Sequence, residues 1–195
     1  MPDQYKARKS DNPVHQFTEL ATPHVKGGLT EPDIALVCPG PSLKSVETID
    51  FAYYAAVFAV NYAALSIPKE FLTALYCLDG NLGHIWGDHW PHDLPRVHIS
   101  HGPAKRMKAK GCANTFPLAL ADLLYRYPTA HIHLYGVDYQ GRAVHTRCPW
   151  TPRRETTELP WVAGAWHPHA GRVTNHGTFD LELLEQYLTT QPTTN

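Results

Sequence analysis

Between Ile34 and Asn61 the chain runs apolar, breaks and runs apolar again, and this stretch restricts the fold more than any other. Ile34-Ala-Leu-Val-Cys38 has the length and composition of a buried strand. Pro39-Gly40-Pro41-Ser42 ends it as a tight strand-to-helix turn would, and a helical segment is expected through Val46 and Ile49. Ala56-Val57-Phe58-Ala59-Val60 is a second buried strand, stopping at Asn61. Strand, turn, crossover and strand make half of a nucleotide-binding α/β unit. The backbone N–H groups of such a turn can hold phosphate, and Gly40 lets a ligand come close. Because the prolines lack N–H groups, the donors are Gly40, Ser42 and Leu43. The spacing is neither GxGxxG nor a Walker loop, so an ordinary strand-to-helix turn fits the same residues.

Further apolar runs follow downstream, without an internal repeat. Phe71–Leu78 reads as a third strand ending at Asp79, and Arg96–Ser100 as a short fourth. A helix is expected over 116–127, capped by Asn114 or Thr115, with Pro117 in its first turn and Pro128 as its stop. Ala130–Tyr135 is a fifth strand leading to Gly136-Val137-Asp138-Tyr139, and Thr178–Leu188 is a final amphipathic helix. The expected fold is α/β and Rossmann-like, a mainly parallel central sheet with helices on both faces. Residues 1–32 form an arm, residues 33–195 a single domain, and residues 140–171 an irregular lid or acceptor-binding loop. In such a sheet the Gly40 turn, Asn61, Asp79 and Asp138 share the carboxyl edge, where ligands bind.

Composition narrows the classes. A net charge of −1 argues against a chain that acts as a whole-molecule magnet for nucleic acid or membrane. The four cysteines show no CxxC spacing and read as reduced thiols of a cytoplasmic protein. No secretory h-region is visible, and no run approaches the ~18 apolar residues of a membrane span. The sequence leaves a homo-oligomer open. Thirteen histidines are the oddity. His84, His89 and His92, near Asp79, Asp88 and Asp93, offer a ligand set for zinc or another divalent ion, but no helical HxxxH supports it. The interleaved Trp86 and Trp90 suit stacking on a base or sugar instead. His131 and His133 share one face of the fifth strand and read as structural.

Three segments together resemble a known superfamily: the small bacterial sialyltransferases that use CMP-sialic acid, and the hydroxymethylpterin diphosphokinase-like proteins related to them. They are CPGPSL with the later FAVNYA, GCANTFPLALADLLYRYPTAHIHLYGVDYQG, and VTNHGTFDLELLEQYL. The order and spacing are similar over roughly residues 34–188, although Cys38 or Pro39 stands where the family's turn has its first glycine. The resemblance implies that Gly40, Pro41 and Ser42 face the nucleotide phosphates and that Asn61 holds the nucleotide or donor sugar. It implies that Asp138 and the turn from Gly111 through Asn114 to Thr115 complete the pocket, and that His176 is the general base.

The chemistry agrees with those roles. Transfer from a nucleotide-activated donor, CMP- or another NDP-sugar, needs a deprotonated acceptor hydroxyl on a glycan or other alcohol and a stabilised leaving phosphate. A neutral imidazole suits the first task. A helix starting after His176 would lower its pKa through its dipole, against the opposing pull of Asp180. Tyr139 offers a hydroxyl to the phosphate, and His145, on the loop after Asp138, is the next candidate base. A second reading is a diphosphokinase-like enzyme moving pyrophosphate from ATP, with Mg²⁺ held by Asp79 and Asp138. A third is a non-catalytic nucleotide or nucleic-acid binding module. Its basic face would be residues 105–110 with Arg142, Arg147, Arg153 and Arg154.

Overall fold

A computed structural model of the chain describes residues 31–78, 95–138 and 152–179. Five strands, β1 (Asp33–Val37), β2 (Ala56–Val60), β3 (Leu72–Tyr76), β4 (His131–Tyr135) and β5 (Val173–Asn175), form one sheet in the order β3-β2-β1-β4-β5. Every pairing is parallel. The chain winds outward from β1 through β2 to β3, then returns across the sheet to β4 and β5. The order therefore reverses between β1 and β4, the place where open parallel sheets present a crevice at their carboxyl edge. The protein is an α/β, Rossmann-like fold with helical segments on both faces of the sheet.

The two covers differ. Among the described residues one face carries three α-helices, α1 (Gly102–Ala109), α2 (Thr115–Arg126) and α3 (Pro152–Trp166). Leu118, Leu120, Leu123 and Val162 from this layer pack with Ile34, Leu36, Phe58, Ile132 and Leu134 into the larger core, all of them essentially inaccessible. Among the described residues the other face is covered by short 3₁₀ segments in the β1–β2 and β2–β3 connections, the longest being Pro41–Thr48. Leu43, Phe51 and Ala63 from these segments, with Ile67, close over Ala35, Val37, Val57 and Leu75. Right-handed crossovers produce this division, because connections running in opposite directions from β1 must pass on opposite faces.

Several elements differ from the sequence reading. The helix expected after Ser42 is 3₁₀. Arg96 makes one isolated bridge to Leu75, and residues 97–100 run on without regular structure toward α1 at Gly102; the fifth strand is instead Val173–Asn175. Much of 140–171, read as irregular, is helical: α3 opens on Pro152, where no N–H is needed, and accommodates Pro160 inside. Residues 167–172 form another 3₁₀ turn. The final helix of 178–188 falls almost wholly outside the described residues, as does the arm of 1–32 up to residue 30. No helix among the described residues is long and apolar enough to cross a membrane.

Candidate active site

The turns after β1 and β4 are bonded to each other. Cys38 N donates to Tyr135 O at 2.7 Å and Gly40 N to Gly136 O at 2.9 Å. A Cβ on Gly40 would overlap Gly136 O and the Asp138 carboxylate, and one on Gly136, whose φ is +65°, would overlap Cys38 O. The two glycines are what lets the turns approach this closely. Asp138 locks the arrangement. It is 1% exposed. Its Oδ2 accepts from Ser42 N at 2.8 Å, and its Oδ1 accepts from Thr178 N at 2.8 Å and Thr178 Oγ1 at 3.0 Å.

These bonds correct the expected phosphate cradle. Gly40 N and Ser42 N are engaged as above, and Leu43 N donates to Gly40 O at 3.0 Å. All three donors named from the sequence serve the chain itself, so Gly40 is required by backbone packing rather than by space for a phosphate. Asp138 likewise accepts at both oxygens from N–H and O–H donors of the chain itself. Among the described residues no group of three or more His, Cys, Asp or Glu side chains is arranged to hold a metal ion.

One strand over, Asn61 leaves β2 with φ of 50°, in the left-handed region that asparagine tolerates, and its Nδ2 donates to Thr115 Oγ1 at 3.4 Å. Thr115 opens α2 and Asn114 is its N-cap residue, though its side chain makes no capping bond. Gly111, at φ +99°, turns the chain after α1 with open space where a Cβ would stand. Asn61, Asn114 and Thr115 thus stand at the carboxyl edge, because a helix leading into a parallel strand starts there. Asp79, Tyr139, His145, His84, His89 and His92 lie outside the described residues.

The chemistry-bearing array lies on the 3₁₀ side, over β1, β4 and β5. Asp33 is level with His131 in the β1–β4 register, and His133 is level with Thr174 in the β4–β5 register. Asp33, His133 and His176 therefore climb diagonally toward the carboxyl edge, two residues at each step, across strands about 4.8 Å apart. His176 Nε2 meets His133 Nδ1 at 2.9 Å, and His133 Nε2 meets Asp33 Oδ1 at 2.9 Å. Tyr53 Oη donates to Asp33 Oδ2 at 2.9 Å. Tyr135 stacks on His176, ring centroids 4.6 Å apart and planes within 10°, and its hydroxyl bonds that of Tyr54. His131 is held by Thr174 Oγ1 at 2.8 Å.

The electrostatics follow from these contacts. Burial works against the Asp33 carboxylate, but hydrogen bonds from His133 and Tyr53 outweigh it and hold its pKa below the ordinary value. Burial, and then the neighbouring His133 and His131, lower the His176 pKa, so the ring is neutral at pH 7. The sequence reading gave the same direction but assigned it to a helix dipole. Burial, then the hydrogen bond to Tyr135, raises the Tyr54 pKa, so that phenol stays protonated. His176 lines a cleft of about 250 Å³ together with Ser42, Leu43, Thr48, Ile49, Tyr135 and Gly136. The structure thus brings Ser42 and His176 to one cleft, with Gly40 and Asp138 bracing its wall.

Sequence reasoning passed over Asp33, Tyr53 and Tyr54, and took His133 for a structural residue. The available signal was the alternation in His131-Ile-His-Leu-Tyr135. Parallel strands buried on both faces read as continuous apolar runs, so an alternating one announces a polar face.

No family model matches the chain, and neither the curated proteins nor the solved structures give a match.

Proposed function

We propose that the chain is a nucleotide-dependent transferase, sialyltransferase-like in its chemistry, which moves a sugar from a phosphate-activated donor to an acceptor hydroxyl with His176 as general base. The observation that carries this reading is an accessible histidine, neutral at pH 7, at the mouth of a carboxyl-edge cleft and backed by a second histidine and a carboxylate. A general base needs that accessibility and that protonation state. The donor class rests on the resemblance of the three segments quoted above.

The cleft itself favours the acceptor. None of its described lining residues is a lysine or arginine, and they include Ser42, Thr48 and Tyr135 with Leu43 and Ile49. At about 250 Å³ it lies below the ~300–1,000 Å³ of pockets for drug-sized ligands. It suits one neutral, hydroxyl-bearing ring rather than a whole nucleotide sugar. The nucleotide then belongs along the neighbouring edge near Asn61 and Thr115.

The test is a panel of CMP, UDP, GDP and ATP compounds, with and without Mg²⁺, followed by thermal shift and by product analysis. A donor at 100 times its dissociation constant adds about 2.7 kcal/mol to stability. The expected result is stabilisation by one nucleotide sugar without Mg²⁺, and a sugar on the acceptor. Phosphate or pyrophosphate on the acceptor would replace this reading with the kinase one.

A further inference from the structure

We propose that Asp33 and His133 are positioning residues that fix the tautomer of His176, making its Nδ1 the atom that accepts the proton. The importance of this for turnover rests on the transferase reading; the tautomer itself does not.

The assignment follows from which groups are obliged to accept. An ionised carboxylate only accepts hydrogen bonds, so Asp33 Oδ1, 2.9 Å from His133 Nε2, requires a proton on that nitrogen. A neutral His133 then carries its lone pair on Nδ1. That atom is 2.9 Å from His176 Nε2, which must therefore be the donor. His176 is left protonated at Nε2 with its lone pair on Nδ1. Every link runs one way, from a carboxylate at the start of β1 to the ring beyond the end of β5. Stacking of Tyr135 on His176, and the bond between Tyr135 and Tyr54, hold the ring's orientation. Among the described residues the ionisable groups around His176 are His133, His131 and Tyr135 from β4, with Asp33 behind His133, Tyr53 from the 3₁₀ turn before β2, and Tyr54 just after that turn.

In the reaction, the acceptor O–H gives its proton to His176 Nδ1 while the oxygen bonds to the donor's anomeric carbon. The bond from that carbon to the phosphate oxygen breaks, and its electron pair leaves on the phosphate. The Nε2 proton of His176 passes to His133 Nδ1, so the positive charge ends on a His133 imidazolium facing Asp33. Solvent then takes the Nδ1 proton of His176 while the His133 Nδ1 proton returns to His176 Nε2, which restores the neutral pair in its starting tautomers.

The test uses imidazole ¹⁵N NMR of the full chain at about pH 8, above the ~6.5 reference for histidine. The parent should show His176 protonated at Nε2. Asp33→Asn can turn its amide to donate to His133, which reverses the chain; His176 should then move toward the Nδ1–H form. Asp33→Glu, which keeps a carboxylate, should keep the parental tautomer. With a donor identified by the nucleotide panel, kcat of Asp33→Asn should fall between about tenfold and 10⁴-fold while KM stays within a few fold. A parent His176 protonated at Nδ1, or a tautomer unmoved in Asp33→Asn, overturns the proposal. Absence of turnover with every donor would overturn the transferase reading alone, because the tautomer shift is read without substrate.

Discussion

Ile132 and Leu134 point to one face of β4 and are fully buried beneath α-helices, whereas His131, His133 and Tyr135 point to the other and stay half-buried. The same five residues thus answer to two environments. On the helical side any polar group would need a partner or cost several kcal/mol, so the strand is aliphatic there. On the 3₁₀ side, ionisable groups keep some access to water: the side chains of His133 and Asp33 are 18% and 27% exposed. Apolar packing and the titratable array are therefore divided between the faces, and substitutions on one should leave the other largely intact.

The largest effect is expected where both faces depend on the same backbone. Gly40→Val drives a side chain into Gly136 O and Asp138 and should prevent the β1 and β4 turns from meeting. Circular dichroism and thermal scans should show loss of the cooperative transition. A stable Gly40→Val that loses only nucleotide binding would instead restore the phosphate-cradle role.

Next is Leu134→Ala on the helical face. Its complete burial predicts a loss of about 2–5 kcal/mol, read from urea midpoints. His131→Ala on the opposite face should cost about 1 kcal/mol or less, the worth of one partly exposed hydrogen bond to Thr174. Equal losses would erase the distinction between the faces.

The smallest effect is acid sensitivity. Asp33 has a depressed folded pKa, so its contribution is present above its ordinary 3.8 and lost as pH falls through the folded value. His176 is also depressed: the unfolded chain takes up its proton more readily, so stability declines as pH falls from 6.5 toward the folded value. Both effects run the same way. Solvent screening at these partly exposed groups keeps their sum below about 1 kcal/mol. Midpoints measured between pH 7.5 and 5 should fall slightly in the parent, and less in His176→Ala.

The parts legible in the sequence were those set by local pattern. Apolar runs such as Ile34–Cys38 and Ala56–Val60 gave the parallel strands, and Asn114 before Thr115 gave the start of α2. The proline-rich stretch before Trp166 concealed α3, because Pro160 is read as a breaker while packing of Val162 and Ala163 holds the helix. The Asp33–His133–His176 hydrogen-bonded array was hidden for a different reason. Asp33 and His133 stand 100 positions apart, His133 and His176 43 apart, and only the strand order β1-β4-β5 brings them together. Equally, nothing local to Gly40 or Asp138 says that their bonding partners are each other's turns rather than a ligand.

The central claim is that His176 is the base at this edge, and the pH dependence of kcat/KM in the parent and in His176→Ala tests it most directly. In the parent the rate should rise with pH through an apparent pKa below the ordinary 6.5 of histidine and then level off. His176→Ala should lose roughly 10²–10⁴ in rate together with that limb. A variant that keeps the parental rate, or keeps the same acidic limb, would contradict the account.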